Sequence, residues 1–300
     1  MKLRRTDLAL ITLLVAGGAG GVAWWCVRAR LPVETAQLPV QTLIMADGSI
    51  RIGVVRSVGP GETRSPASSP ASAGVSFKTT APSLRIIGDP GCSLPQRLAA
   101  VDGLFAAPLP PATLFDVLTY LGSPVADDIP AAERERALRN QLLNALRQGP
   151  AYVQVAVPVL VEQAADPKRD DGLRDYALQH LAAWVPTLPP KEKQAALRAL
   201  EAALLNPAGT YSGTALIGLN DLARRNCLDT EFDIDAQARR IVLDEKYTMS
   251  SRLTALTLAA ERGGADPAVE TLARQWAESP YIQLGARRAA EAFLRNLAVN

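Results

Sequence analysis

The 300-residue chain carries 32 Lys and Arg against 30 Asp and Glu, a net charge of +2 that argues against nucleic acid as its main ligand. Hydrophobic residues make up 48% and aromatic residues 5%, with Leu and Ala prevailing. That balance favours packed helices over a β-sandwich, which draws on Val, Thr, Tyr and Phe.

Leu8 to Val27 reads LALITLLVAGGAGGVAWWCV without a charge. Some 20 apolar residues at about 1.5 Å each cover roughly 30 Å, the hydrocarbon thickness of a bilayer. Trp24 and Trp25 close the run, where amphipathic rings favour the interface, and Arg28 and Arg30 follow. Residues 1–30 are therefore expected to form a transmembrane anchor, with a signal peptide cleaved after Ala29 as the alternative. Lys2, Arg4 and Arg5 precede the run. The basic bias predicts a single-pass membrane protein with a cytoplasmic N-terminus and an exported body.

Residues 31–56 hold two β-prone runs, Val40–Ala46 and Ser49–Val55, around Asp47-Gly48. Asp-Gly suits a two-residue type I′ turn, so a short β-hairpin is expected. Residues 57–83, rich in Pro, Ser and Gly, read as a flexible linker with too few apolar residues to offset ordering entropy.

Residues 84–300 change character. Apolar residues recur at three and four, and Pro or Gly punctuates the pattern. Helices are expected at 94–104, 111–121, 131–148, 151–165, 171–185, 190–206, 212–226, 235–246, 249–262, 267–278 and 281–297. Pro158 should kink or divide its helix. The helices fall into pairs, and the second helices place Ala177, Gly218, Ala255 and Ala289 where neighbours can approach closely. One pair cannot bury such faces alone, whereas stacked pairs can.

Within residues 158–181, Pro158, Leu160, Asp171, Leu173-Arg174, Ala177 and Leu181 stand in the pattern of a helical repeat unit. This stretch resembles the HEAT family, whose turn acid and following arginine form a ladder between repeats. Ser251-Arg252 keeps the arginine without the acid, and 212–226 lacks both. The resemblance implies an all-α solenoid over about 130–297, with an irregular bundle of the same pairs as the alternative.

Chemistry is sparse. The single histidine, His180, lies in an amphipathic helix with no nucleophile beside it in sequence. Asp229, Glu231, Asp233 and Asp235 alternate as in a calcium loop, but Ile234 and Arg240 occupy the positions that need Gly and Glu. Asp233 or Asp235 reads better as a helix cap. Glu133, Arg134, Glu135 and Arg136 read as a solvated face. Cys92 and Cys227 suit two free thiols or one disulfide. Neither a metal site nor a cofactor is expected.

These features predict a membrane-tethered scaffold or adaptor that binds a protein partner of undetermined identity. Arg224, Arg225, Arg239 and Arg240 are candidate partner-binding residues, since basic pairs at one rim suit an acidic partner. HEAT-like proteins also resemble chromophore lyases. The alternative is thus an enzyme or enzyme accessory with a pocket around His180, Tyr176 and Asp175.

Overall fold

The computed structural model describes residues 41–44, 50–53, 81–125, 129–228, 232–263 and 266–299. The chain divides into two units, Met1–Pro70 and Ala71–Asn300.

In the first unit, β1 (Gln41–Ile44) and β2 (Ile50–Gly53) pair antiparallel, with Ile44 opposite Ile50. A two-residue turn on Asp47-Gly48 would set Ile44 opposite Arg51. The observed register is one residue away from that. The connection between the strands, 45–49, lies outside the described residues, as does most of the expected linker.

The expected single-pass membrane protein, cytoplasmic at its N-terminus with an exported body, requires correction. Among the described residues no helix is long and apolar enough to cross a membrane. The run expected to span it, 8–27, lies outside them.

In the second unit, twelve helices follow one another among the described residues. They are α1 (Pro82–Gly88), α2 (Leu94–Leu104), α3 (Pro111–Gly122), α4 (Ile129–Leu146), α5 (Pro150–Ala165) and α6 (Asp171–Trp184). After a 3-10 turn come α7 (Pro190–Leu204), α8 (Tyr211–Arg224), α9 (Ile234–Leu243), α10 (Met249–Arg262), α11 (Pro267–Glu278) and α12 (Leu284–Val299). Only α1 escapes the sequence reading, because it is short and follows directly on the Pro/Ser-rich stretch. Pro158 neither ends nor divides α5.

The signals that start these helices are physical ones. Proline opens α1, α2, α3, α5, α7 and α11, where its missing N–H has no intrahelical partner. Ser93 and Gln96 form a reciprocal capping box on α2, and Asp170, Asp233, Thr248 and Asp266 cap α6, α9, α10 and α11. Gly263 ends α10 at φ +71°, a left-handed conformation that glycine adopts without steric cost.

The helices stack in two layers. The second members of the pairs, α2, α4, α6, α8, α10 and α12, each pack on the next. Among the first members, α3 packs on α5, α5 on α7, and α9 on α11. The core runs continuously from Leu84 to Phe293. One close approach involves α8: a Cβ on Gly218 would lie 2.8 Å from that of Ala182 on α6. Ten residues of α8 are buried, as expected for a helix enclosed by neighbours.

A repeated signature runs through these pairs. Asp89, Asp166, Asn206, Asp244 and Ser279 each follow a first helix, and each side chain accepts a hydrogen bond from the backbone N–H two residues on. Eight residues after four of them stand Arg97, Arg174, Arg252 and Arg287. The Nε groups of Arg97, Arg174 and Arg252 donate to the carbonyls of Ile87, Ala164 and Val242, ten residues back, at 2.7, 3.1 and 2.9 Å. Arg287 donates from Nη2 to Ser279 O at 2.8 Å. Each arginine thus satisfies a carbonyl that the end of the first helix leaves without an intrahelical donor. Three also reach the next pair: Arg97 donates to the Tyr120 hydroxyl of α3 at 2.9 Å, Arg174 stacks 4.1 Å over Tyr211 of α8, and Arg252 lies 4.9 Å over Trp276 of α11.

Two pairs vary the scheme. In the second, Arg139 of α4 donates to the carbonyls of Leu121, Ser123 and Pro124. In the fourth, Thr214 occupies the arginine position, and the Leu204 carbonyl accepts instead from Tyr247 Oη at 3.0 Å.

The turn acid expected to link repeats was Asp171, but its side chain is 69% exposed and lies 3.5 Å from Arg174 within the same helix. The acid that links pairs is Asp170, which caps α6 and takes a two-pronged contact from Arg136 of α4 at 2.7 and 2.6 Å. The 133–136 stretch is therefore not simply a solvated face. Glu135 turns inward to Arg97 at 2.6 Å and also accepts from the Tyr120 hydroxyl.

Leu181 and Leu200 are fully buried, so Leu→Ala at either should cost about 2–5 kcal/mol in urea unfolding. Arg136→Ala, which breaks a partly exposed ion pair, should cost about 1 kcal/mol or less. Equal losses at all three positions would contradict this division between core and surface.

Candidate functional site

Three residues of α6 were expected to line a pocket: His180, Tyr176 and Asp175. Five residues apart on a helix, Asp175 and His180 stand about 140° from each other. His180 faces α4, with Nε2 2.9 Å from Asn140 Oδ1. An amide oxygen only accepts, so this nitrogen carries the proton. The ring also lies 5.5 Å from that of Trp184. Asp175 is associated with Thr214 of α8 and accepts at Oδ2 from Gln179 Nε2 at 3.2 Å. The two groups that would have to cooperate therefore contact different neighbouring helices.

Electrostatics points the same way. Burial, and then the charge of Arg147, push His180 down to about 3, so its imidazole is neutral and a weak base near pH 7. Burial pushes the Asp175 carboxyl up, against the hydrogen bonds from Thr214 and Gln179, and the Asp171 charge adds to the rise. Tyr176, between them in the helix, is raised by burial and by Asp175. His180 and Asp175 each serve a contact between helices, and the two do not converge on a shared point.

The four arginines proposed as a rim do not form one uniform set. Arg224 is exposed and 3.9 Å from Glu261 of α10, while Arg225 pairs with Asp221 of its own helix at 2.8 Å. Arg239 pairs at 2.8 Å with Asp266, the cap of α11. Arg240 turns inward: its guanidinium stands 6.0 Å from the Tyr247 ring, and its Nε and Nη2 are buried without a hydrogen-bond partner. Arg262, not anticipated from sequence, joins this edge by holding Asp235 at 2.5 Å and the Asn220 amide oxygen at 3.1 Å. The edge formed by α8–α11 is thus a row of alternating charges tying neighbouring helices together. Sequence reading identified Arg224, Arg225 and Arg239 and missed both Arg262 and the pairing acids, which lie 4 to 37 residues away.

Other expected features find simpler roles. Asp233 accepts from the N–H groups of Asp235 and Ala236 and so caps α9. Cys92 and Cys227 are free thiols. Among the described residues no group of three or more His, Cys, Asp or Glu is placed to hold a metal ion. The feature most fully missed is a cluster at the start of the array, where buried Arg97 and Arg139 share Glu135 with Tyr120. Burial, then the charge of Glu135, push the Tyr120 phenol well above its usual range.

No family model matches the chain, and no curated protein matches it. Among solved structures, human deoxyhypusine hydroxylase in complex with glycerol is similar at 16% identity, covering 72% of this chain and 94% of that chain. The TM-score is 0.34, too low to carry a functional argument.

Because His180 is buried neutral, the unfolded chain binds its proton first on acidification. His180 should therefore favour the fold above about pH 6.5, and this contribution should fade as pH drops towards about 3. His180→Gln should remove a slope of up to about 1.4 kcal/mol per pH unit from stability measured across that window. An unchanged slope would show that His180 is accessible and titrates normally.

Proposed function

We propose that the second unit is a HEAT-like α-solenoid that acts as a non-catalytic protein-binding scaffold. The observation that supports this best is the arrangement on α6: the chain's one imidazole and its buried Asp175 carboxyl are engaged with different helices, while the second helices form a long continuous layer. An extended layer suits the broad, shallow contact of a protein partner. The enzymatic alternative needs a histidine that substrate can reach, and His180 is 7% exposed.

In this reading the partner engages the edge carrying Arg224, Arg225 and Arg239 and offers carboxylates that exchange with Glu261, Asp221 and Asp266. Such exchange is inexpensive, because exposed pairs contribute only about 0–1 kcal/mol each. Arg240 supports the edge from beneath through Tyr247 instead of contacting the partner.

Crosslinked capture with the full chain tests the proposal. Replacing Arg224, Arg225 and Arg239 with Ser should leave helicity unchanged, lower stability only slightly, and reduce capture severalfold. Capture by the unmodified chain should weaken with added salt, as steering by exposed charges requires. Undiminished capture by the triple variant would remove this edge from the account.

A further inference from the structure

The register of the array singles out Asp175. In α2, α8 and α10 the residue after the ladder position is Leu98, Ala215 or Leu253, all packed in or against the core. In α6 the same position holds a carboxyl that is 3% exposed and whose Oδ1 has no hydrogen-bond partner. Its association with α8 is through Thr214, the one place in that series where the ladder arginine is replaced. A buried acid without a cation departs from the apolar residues that α2, α8 and α10 place at this register, while α4 and α12 carry Asn140 and Arg288 there.

The surroundings give the charge no counterpart. Thr214 is the group from α8 that acts on it, and α6 contributes Gln179 and the repelling Asp171. Arg174 is committed to Ala164 and Tyr211, and Arg136 of α4 to Asp170. The side chains that α5 and α7 bury are not ionisable. As the neutral acid, Asp175 can remain in this seam with Gln179 and Thr214. As the carboxylate it must either remain desolvated without a partner or draw in water.

We propose that the α6–α8 contact is a proton-dependent seam, closed while Asp175 is the carboxylic acid and loosened when it becomes the carboxylate. The seam lies midway along the layer of second helices, so loosening it changes the relation between the two halves of that layer. The direction of the titration agrees, since burial moves this carboxyl above the ordinary range. Folded-state protonation above the unfolded value means that stability is fully present at acid pH and declines as pH rises through the folded value.

The test compares urea midpoints of the full chain and of Asp175→Asn across the pH range. The amide keeps the shape and cannot ionise, and the slope due to His180 is common to both proteins and cancels in the difference. The variant's midpoint should gain steadily on that of the wild type as pH rises above the ordinary carboxylate range. Asp175→Leu, the residue at this register in α10, should show the same trend. In carboxyl-labelled protein, the Asp175 carbon should titrate later than exposed aspartates. A difference that stays flat with pH, a carboxyl that titrates with the exposed ones, or an Asp175→Asn chain that fails to fold would each overturn the proposal.

Discussion

Every helix leaves its last carbonyls without intrahelical donors, and a chain of short helices meets this problem at each turn. The array meets it with one device, an arginine one turn into the second helix that reaches back to the end of the first. Because a guanidinium is planar and remains charged, it can hold a carbonyl through Nε while its face lies on an aromatic ring. Arg174 and Arg252 do both, so the group that closes one pair also contacts the next. The stacking of pairs thus follows from the way each pair is closed.

The departures from this scheme gain meaning from it. At Thr214 the device is absent, and Tyr247 of the following turn supplies the missing donor to Leu204. The same helix approaches α6 closely at Gly218 and faces Asp175, which no cation accompanies. The centre of the array therefore combines a close approach of two helices with a buried carboxyl that no cation accompanies. At the start of the array the opposite holds: Arg97 and Arg139 share Glu135, and a buried charge cluster fixes three helices together.

Much of this was legible in the sequence because helix periodicity and proline punctuation are local signals. Eleven of the helix positions, the core leucines and the small residues of the second helices could be read this way. The spacing from Asp or Ser to an arginine eight residues on was also present in the sequence. What could not be read was long-range pairing: no local pattern says that Arg136 holds Asp170, that Arg239 meets Asp266, or that His180 and Asp175 face apart. The proposed site depended on those pairings, which is why its arginines, read as a free basic rim, are largely matched by the chain's own acids.

The central claim is that the ladder arginines couple neighbouring pairs, and a double-mutant cycle measures this directly. Arg252→Met and Trp276→Leu, singly and together, would be compared by urea unfolding, with the coupling taken as the departure from additivity. The account predicts a coupling of about 0.5–2 kcal/mol, as a desolvated guanidinium on an aromatic face should give. Additive single effects, with no coupling, would contradict it and leave the stacking of pairs to apolar packing alone.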